Sequence, residues 1–189
     1  MRKNIAVLAA LGTVGLLLSG CGVGGVTNTP NSPAPAATTP AATTPAATTP
    51  APAKVGDSIT LKGNTPGSEV TVVVTKVVDP TSSTNGFSTP AAGSRYVAVQ
   101  FQINNTGTAA YSDAPSNGAK VADSSGQQFS STYTSAVSAG PTLPGTVKLT
   151  PGGKALGYIV FEVPTASKVS MVQFGTDSGF GGTGEWQVG

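Results

Sequence analysis

From Arg95 to Asn104 the chain reads Arg-Tyr-Val-Ala-Val-Gln-Phe-Gln-Ile-Asn, with an apolar residue at every second position. Side chains of an extended strand alternate between two faces, so Val97, Val99, Phe101 and Ile103 share one face and Ala98, Gln100 and Gln102 the other. The pattern recurs with Ile59 and Leu61, with Val70, Val72 and Val74, and with Ile159, Phe161 and Val163. Shorter candidates cover 120–122, 128–133, 169–174 and 185–188. Residues 54–189 hold 17 Val and 3 Ile against 4 Leu, a bias toward the branched side chains that suit a pleated surface. Turn signals separate the runs: Asn64-Thr65-Pro66-Gly67, Asn85-Gly86, Asn117-Gly118, Ser125-Gly126 and Pro151-Gly152-Gly153. No stretch sustains a 3.6-residue apolar period. Seven to nine short strands in this segment predict an all-β, antiparallel β-sandwich. Its size permits burial of about two-thirds of the unfolded surface, enough to fold without cross-links.

Ahead of this domain lies chain of another kind. Between Thr38 and Pro50 the unit Thr-Thr-Pro-Ala-Ala repeats, and a five-residue period with no apolar face cannot build a core. Residues 21–53 therefore read as a linker. The 33 residues from Cys21 to Ala53 would span about 100 Å if polyproline-like and roughly 30 Å as a flexible coil.

The first 20 residues begin Met1-Arg2-Lys3-Asn4 and continue as an apolar run from Ile5 to Leu18. The run is shorter than the ~20 residues a membrane-spanning helix needs, and its basic start and small-residue end predict an export signal. It closes on Leu18-Ser19-Gly20-Cys21, which resembles the lipobox of bacterial lipoprotein signal peptides. The resemblance implies cleavage between Gly20 and Cys21 and a diacylglycerol thioether on the Cys21 sulfur. Membrane lipid, reached through acylated Cys21, would then be one partner, and the location would be the extracytoplasmic side of the cell membrane. Cys21 is the one cysteine in 189 residues, so no intramolecular disulfide is available.

Three further stretches resemble the telokin-like, immunoglobulin-fold domain of many bacterial lipoproteins and secreted antigens. They are Val55-Gly56-Asp57, Tyr96-Val97-Ala98-Val99 leading to Asn104-Asn105-Thr106-Gly107, and Leu149-Thr150-Pro151-Gly152-Gly153 leading to Gly157 through Pro164. The resemblance spans the whole domain and implies an immunoglobulin-like sandwich without an inter-sheet disulfide. It carries no catalytic residues. The Ser/Gly/Thr-rich insertions at 81–93 and 135–145 depart from it.

Composition excludes several chemistries. The chain has no histidine, which removes histidine triads, two-histidine zinc motifs and histidine-ligated haem. Arg2 and Lys3 supply the whole net charge of +2; from Cys21 onward eight cations balance eight anions. The cations are scattered singly, so the basic stripe that nucleic-acid binding requires is missing. Gly179 to Gly184 satisfies G-x-G-x-x-G formally, but too few residues follow for the helix whose N-terminus would hold a phosphate. No two acidic residues lie within five positions, so no compact calcium loop is present and no metal or cofactor is expected. Asp113 with Asp123 or Asp177 is the remaining pairing for a loop-built site.

The aromatics Tyr111, Tyr133, Tyr158, Phe180 and Trp186 are candidates for a recognition platform, for instance for sugars. Tyr111, in a polar stretch beside Asp113, is expected to be the best exposed; Trp186, in a terminal strand, is the second ligand-contact candidate, with a core position as its alternative. Tyr158 is out of phase with Ile159 and Phe161, so it faces either solvent or a second packed layer. The expected function is a non-catalytic binding or structural module at the cell envelope, its partner an envelope protein or a polysaccharide. An envelope enzyme, or an accessory subunit of a transport or wall-remodelling complex, is the alternative; a cleft with converging Asp, Lys and Tyr would mark it.

Overall fold

The computed structural model describes residues 52–189. The expected export signal, Cys21 and the Thr/Pro/Ala repeat lie outside the described residues. The elements run β1 (Ala53–Lys54), β2 (Ser58–Lys62), β3 (Glu69–Thr81), β4 (Ser94–Asn105), β5 (Tyr111–Asp113), a helical turn α1 (Pro115–Gly118), β6 (Ala119–Asp123), β7 (Gln128–Thr132), β8 (Val147–Leu149), β9 (Lys154–Pro164), β10 (Val169–Gly175), a 3-10 turn (Asp177–Gly179) and β11 (Thr183–Gln187). The first strand among the described residues is β1, at Ala53–Lys54.

Nine strands form one folded-over sheet in the order β1-β11-β10-β6-β7-β9-β4-β3-β2, and β5 pairs with β8 beside it. β7 is the crossing point between layers: Gln128, Phe129 and Ser130 pair with β6, and Ser131 and Thr132 pair with β9. The result is the all-β sandwich that the alternating pattern predicts, immunoglobulin-like as the family resemblance implies. One pairing departs from the antiparallel expectation, since β1 runs parallel to β11 with Ala53 opposite Trp186. A strand that enters at the start of the domain and lies beside the last strand closes the sheet edge by this route.

The apolar faces meet between the layers. Val70, Val72, Val74, Val97, Val99, Phe101, Ile103, Phe161 and Val163 from one side pack against Val121, Val172, Phe174 and Trp186 from the other. The Phe101 and Phe174 rings lie 5.4 Å apart at 43°, a tilted aromatic contact across the interface worth about 1 kcal/mol beyond its area.

The outer face of β4 and β9 is covered as well. Tyr96, Ala98, Tyr158 and Val160 form a second cluster with Val137, which settles Tyr158 in a packed layer. The cover comes from the Ser/Gly/Thr-rich insertions. Ser83 bridges Val137, Thr84 N–H donates to the Ala136 carbonyl at 3.1 Å, and Asn85 Nδ2 donates to Ser135 Oγ at 3.0 Å. The two insertions therefore pair with each other, and their backbone polar groups are satisfied there.

Candidate functional site

The chemistry-bearing side chains are mostly spent inside the fold. Tyr111 belongs to β5, not to an exposed loop, and is 4% exposed. Tyr111 and Asp113 both point inward from this three-residue strand while Ser112 points out. The phenol donates to Asp113 Oδ2 at 3.2 Å. Burial, followed by the neighbouring Asp113 charge, raises the phenol above its ordinary pKa and keeps it a donor. The reading of Tyr111 as an exposed ring is corrected by this pairing. For Trp186 the core position holds and the ligand-contact reading does not: its ring is 0% exposed and its indole N–H reaches the Asp57 carbonyl at 2.9 Å.

The three-part sequence pattern has a structural basis. Gly56 takes φ +103°, a conformation a side chain would strain. It lets Asp57 fold back, so that Asp57 Oδ2 accepts Lys54 N–H at 2.8 Å and its carbonyl faces Trp186. Asn105 is buried and donates to the carbonyls of Ala109 and Leu149 at 2.9 and 3.0 Å, while its Oδ1 accepts Gly107 N–H. Its backbone pairs with Gly152 and Gly153. Asp123 Oδ1 accepts Ser125 N–H, Ser125 Oγ–H and Gln127 N–H, closing the β6–β7 turn. The Ser125 hydroxyl leads in holding this carboxyl below its usual range. Each of these polar groups builds a turn.

The open face lies around α1. Asp113 Oδ1 accepts Ala114 N–H at 2.7 Å, Ser178 N–H at 2.8 Å and Ser178 Oγ–H at 2.9 Å. One carboxylate thus ties the entry of α1 to the turn after β10. In that turn Asp177 and Ser178 hold φ of 51° and 56°, a left-handed pair that costs non-glycine residues roughly 1–2 kcal/mol each. Asp177 Oδ2 accepts Asn64 N–H, and Asn64 Nδ2 donates to the Phe180 carbonyl. The effect is to present Phe180, 86% exposed, from a braced turn. Gly118 lies so close to β10 that an added Cβ would sit 2.1 Å from the Gly175 carbonyl; α1 can seat there only without a side chain.

Two clefts flank α1 and share Asn117. One, of about 260 Å³, opens where β7 leaves the sheet and is lined by Ser131, Thr132, Thr134, Thr142 and Asn117, with Tyr133 at its wall. No Asp, Glu, Lys or Arg lines it. Tyr133 is 89% exposed. Thr134 is 4% exposed, and its Oγ1 has no hydrogen-bond partner among the described residues. The other cleft carries Lys120, Gln173, Ser178, Phe180 and Thr183. The Gly179–Gly184 stretch is the connection from the 3-10 turn into β11. Among the described residues no group of three or more His, Cys, Asp or Glu is placed to hold a metal ion. Among the described residues the exposed aromatic rings are Phe87, Tyr133 and Phe180, and of these Tyr133 and Phe180 stand at the clefts beside α1.

The model of a protein family described as a domain of unknown function, DUF4352, matches residues 62–185. The chain belongs to this family. The DUF4352 match takes in every strand from the end of β2 to within β11, and with it α1, both clefts and Asn105. Among solved structures the DUF4352 domain is similar to the secreted protein MPT63 of Mycobacterium tuberculosis, with a TM-score of 0.55 at 20% identity over 75% of this chain and 99% of that one. It is also similar to the yjhA protein of Bacillus subtilis, at a TM-score of 0.47 and 14% identity over 66% and 81% of the two chains. An uncharacterized β-sandwich protein of Clostridium difficile gives 0.41 and 12% over 74% and 95%. At 20% identity the MPT63 likeness speaks for the fold alone. No curated protein matches the sequence.

Proposed function

We propose that this chain is a lipid-anchored, extracytoplasmic module whose sandwich binds an envelope component without transforming it. The observation that carries the binding part is the division of polar groups. Tyr111, Asp113 and Asp123 have their hydrogen bonds met inside the fold, whereas the clefts beside α1 expose hydroxyls, amides and two aromatic rings. Such a surface offers contacts and no converging acid, base and nucleophile. Among the described residues no helix is long and apolar enough to cross a membrane.

The anchor rests on Leu18-Ser19-Gly20-Cys21. A diacylglyceryl group on Cys21 supplies two chains, and each buried CH₂ contributes about 0.8 kcal/mol, so attachment is stable where a single chain would be marginal. The secretion of MPT63 accords with an extracytoplasmic site for this fold. The test is fractionation of cells that produce the native chain or Cys21→Ala. The native protein sediments with membranes and the variant moves to the soluble or precursor pool; identical membrane partition of the two contradicts the anchor.

A further inference from the structure

We propose that the face around α1 takes a neutral glycan, a run of uncharged sugar residues crossing from Tyr133 over Asn117 toward Phe180. The inference rests on the reading of the domain as a binding module and specifies the ligand class of that face.

Charge decides first. The cleft beside Tyr133 has no ionisable carboxylate or ammonium in its lining, and the second cleft holds one, Lys120, whose Nζ already meets Gln128 Oε1 at 3.4 Å. A polyanion would find no compensating cations there. It would forgo the charge-assisted contacts that make such ligands bind. A sugar, in contrast, presents hydroxyls that donate and accept at once; Thr132 matches that dual capacity, while the Ser131 and Thr142 hydroxyls, which donate to the Ser116 and Ser135 carbonyls, offer acceptors.

The rings decide next. A pyranose has a C–H face that is apolar beside an equatorial rim that is polar, and it stacks on an aromatic ring flanked by hydrogen-bonding groups. Tyr133 and Phe180 are each exposed, and each sits at a cleft whose lining includes Asn117 with Ser or Thr hydroxyls. A protein partner docks more often on a contiguous apolar patch, whereas in the Tyr133 cleft Leu143, Pro144, Ile159 and Val160 alternate with hydroxyl and amide side chains, the mixed lining that suits the two kinds of sugar surface. Asn117, common to both clefts, carries two donors and an acceptor to the middle of the path.

A third observation is independent of surface composition. Thr134 lines the Tyr133 cleft, and its buried Oγ1 has no partner within the described residues. Buried hydroxyls are nearly always paired, and an unpaired one asks for an explanation. A ligand oxygen, or a water held between ligand and protein, completes it when binding shifts the cleft wall enough to reach this atom.

The experiment applies the full-length lipoprotein, in detergent, to immobilised neutral polysaccharides (a glucan, a galactan, a mannan and an arabinan) and to polygalacturonate as the charged control. The expected result is retention on at least one neutral polymer, lowered at least tenfold by Tyr133→Ala and about fivefold by Thr134→Val. Thr134→Val is the discriminating variant. It removes an unpaired hydroxyl at constant shape, so its melting temperature holds or rises while retention falls. Retention by no neutral polymer, retention by polygalacturonate alone, or retention unchanged in both variants overturns the inference. Membrane partition is read separately, so a protein that stays anchored and binds no sugar defeats this inference and leaves the anchor intact.

Discussion

The indole Nε1–H of Trp186 donates to the main-chain carbonyl of Asp57 at 2.9 Å, joining the last strand to the first turn across 129 positions of chain. The ring is fully buried and lies among the side chains of both layers. Without a disulfide, this contact and the parallel β1–β11 pair fasten the start of the domain to its end.

Trp186→Phe keeps an aromatic but deletes the donor and part of the volume. It should destabilise the domain by about 2–4 kcal/mol, from an unpaired buried carbonyl together with a small cavity. Denaturant titration measures this. In the native protein Trp186 is the one tryptophan, so its emission should shift to the red on unfolding in a single step with the far-ultraviolet circular dichroism.

Asn105→Ala removes two donors, to the Ala109 and Leu149 carbonyls, and one acceptor, for Gly107 N–H. A loss of about 2–4 kcal/mol is expected. Asn105→Asp should lose at least as much, because a carboxylate would face two carbonyl oxygens. Equilibrium unfolding of both variants checks the order.

Tyr111 gives the domain an alkaline limit. Its phenol is held above the ordinary value in the folded state, while in the unfolded chain it ionises at about 10. Stability from this group is complete below that pH and is lost as pH rises above it, because only the unfolded chain releases the proton. Denaturant midpoints measured from pH 8 to 11.5 should fall more steeply for the native protein than for Tyr111→Phe.

Tyr133→Ala and Phe180→Ala should change stability by no more than about 0.5 kcal/mol, since both side chains are mostly in solvent. Thermal melts test this, and a larger loss would show that the rings hold up the clefts instead of facing out from them.

Much of the sandwich is legible in the alternation of Val and Ile. The patterns at Ile59, Val70, Val97 and Ile159 each mark a strand of the main sheet. β5 was not legible because Tyr111-Ser112-Asp113 holds a single apolar residue, which also hid the inward turn of Tyr111, and β8 because Val147-Lys148-Leu149 is too short to stand out between turn-rich stretches. Tyr158 was ambiguous for another reason. Its partner layer is the 135–145 insertion, whose Gly and Ser residues carry no apolar signal of their own. The site was half visible. Tyr133 and Phe180 are two of the five aromatics the sequence offers, but the two it favours as contacts, Tyr111 and Trp186, are buried; that Asn117 joins the two clefts depends on α1 seating against Gly175, a contact between elements far apart in sequence.

The account as a whole depends on the fate of one sulfur atom. Intact-mass spectrometry of the native protein extracted from envelopes tests it most directly. The predicted result is a chain that starts at Cys21 and carries the added mass of a diacylglyceryl group, with or without a further acyl chain. A mature species with a bare Cys21 thiol, or one that still retains residues 1–20, contradicts it.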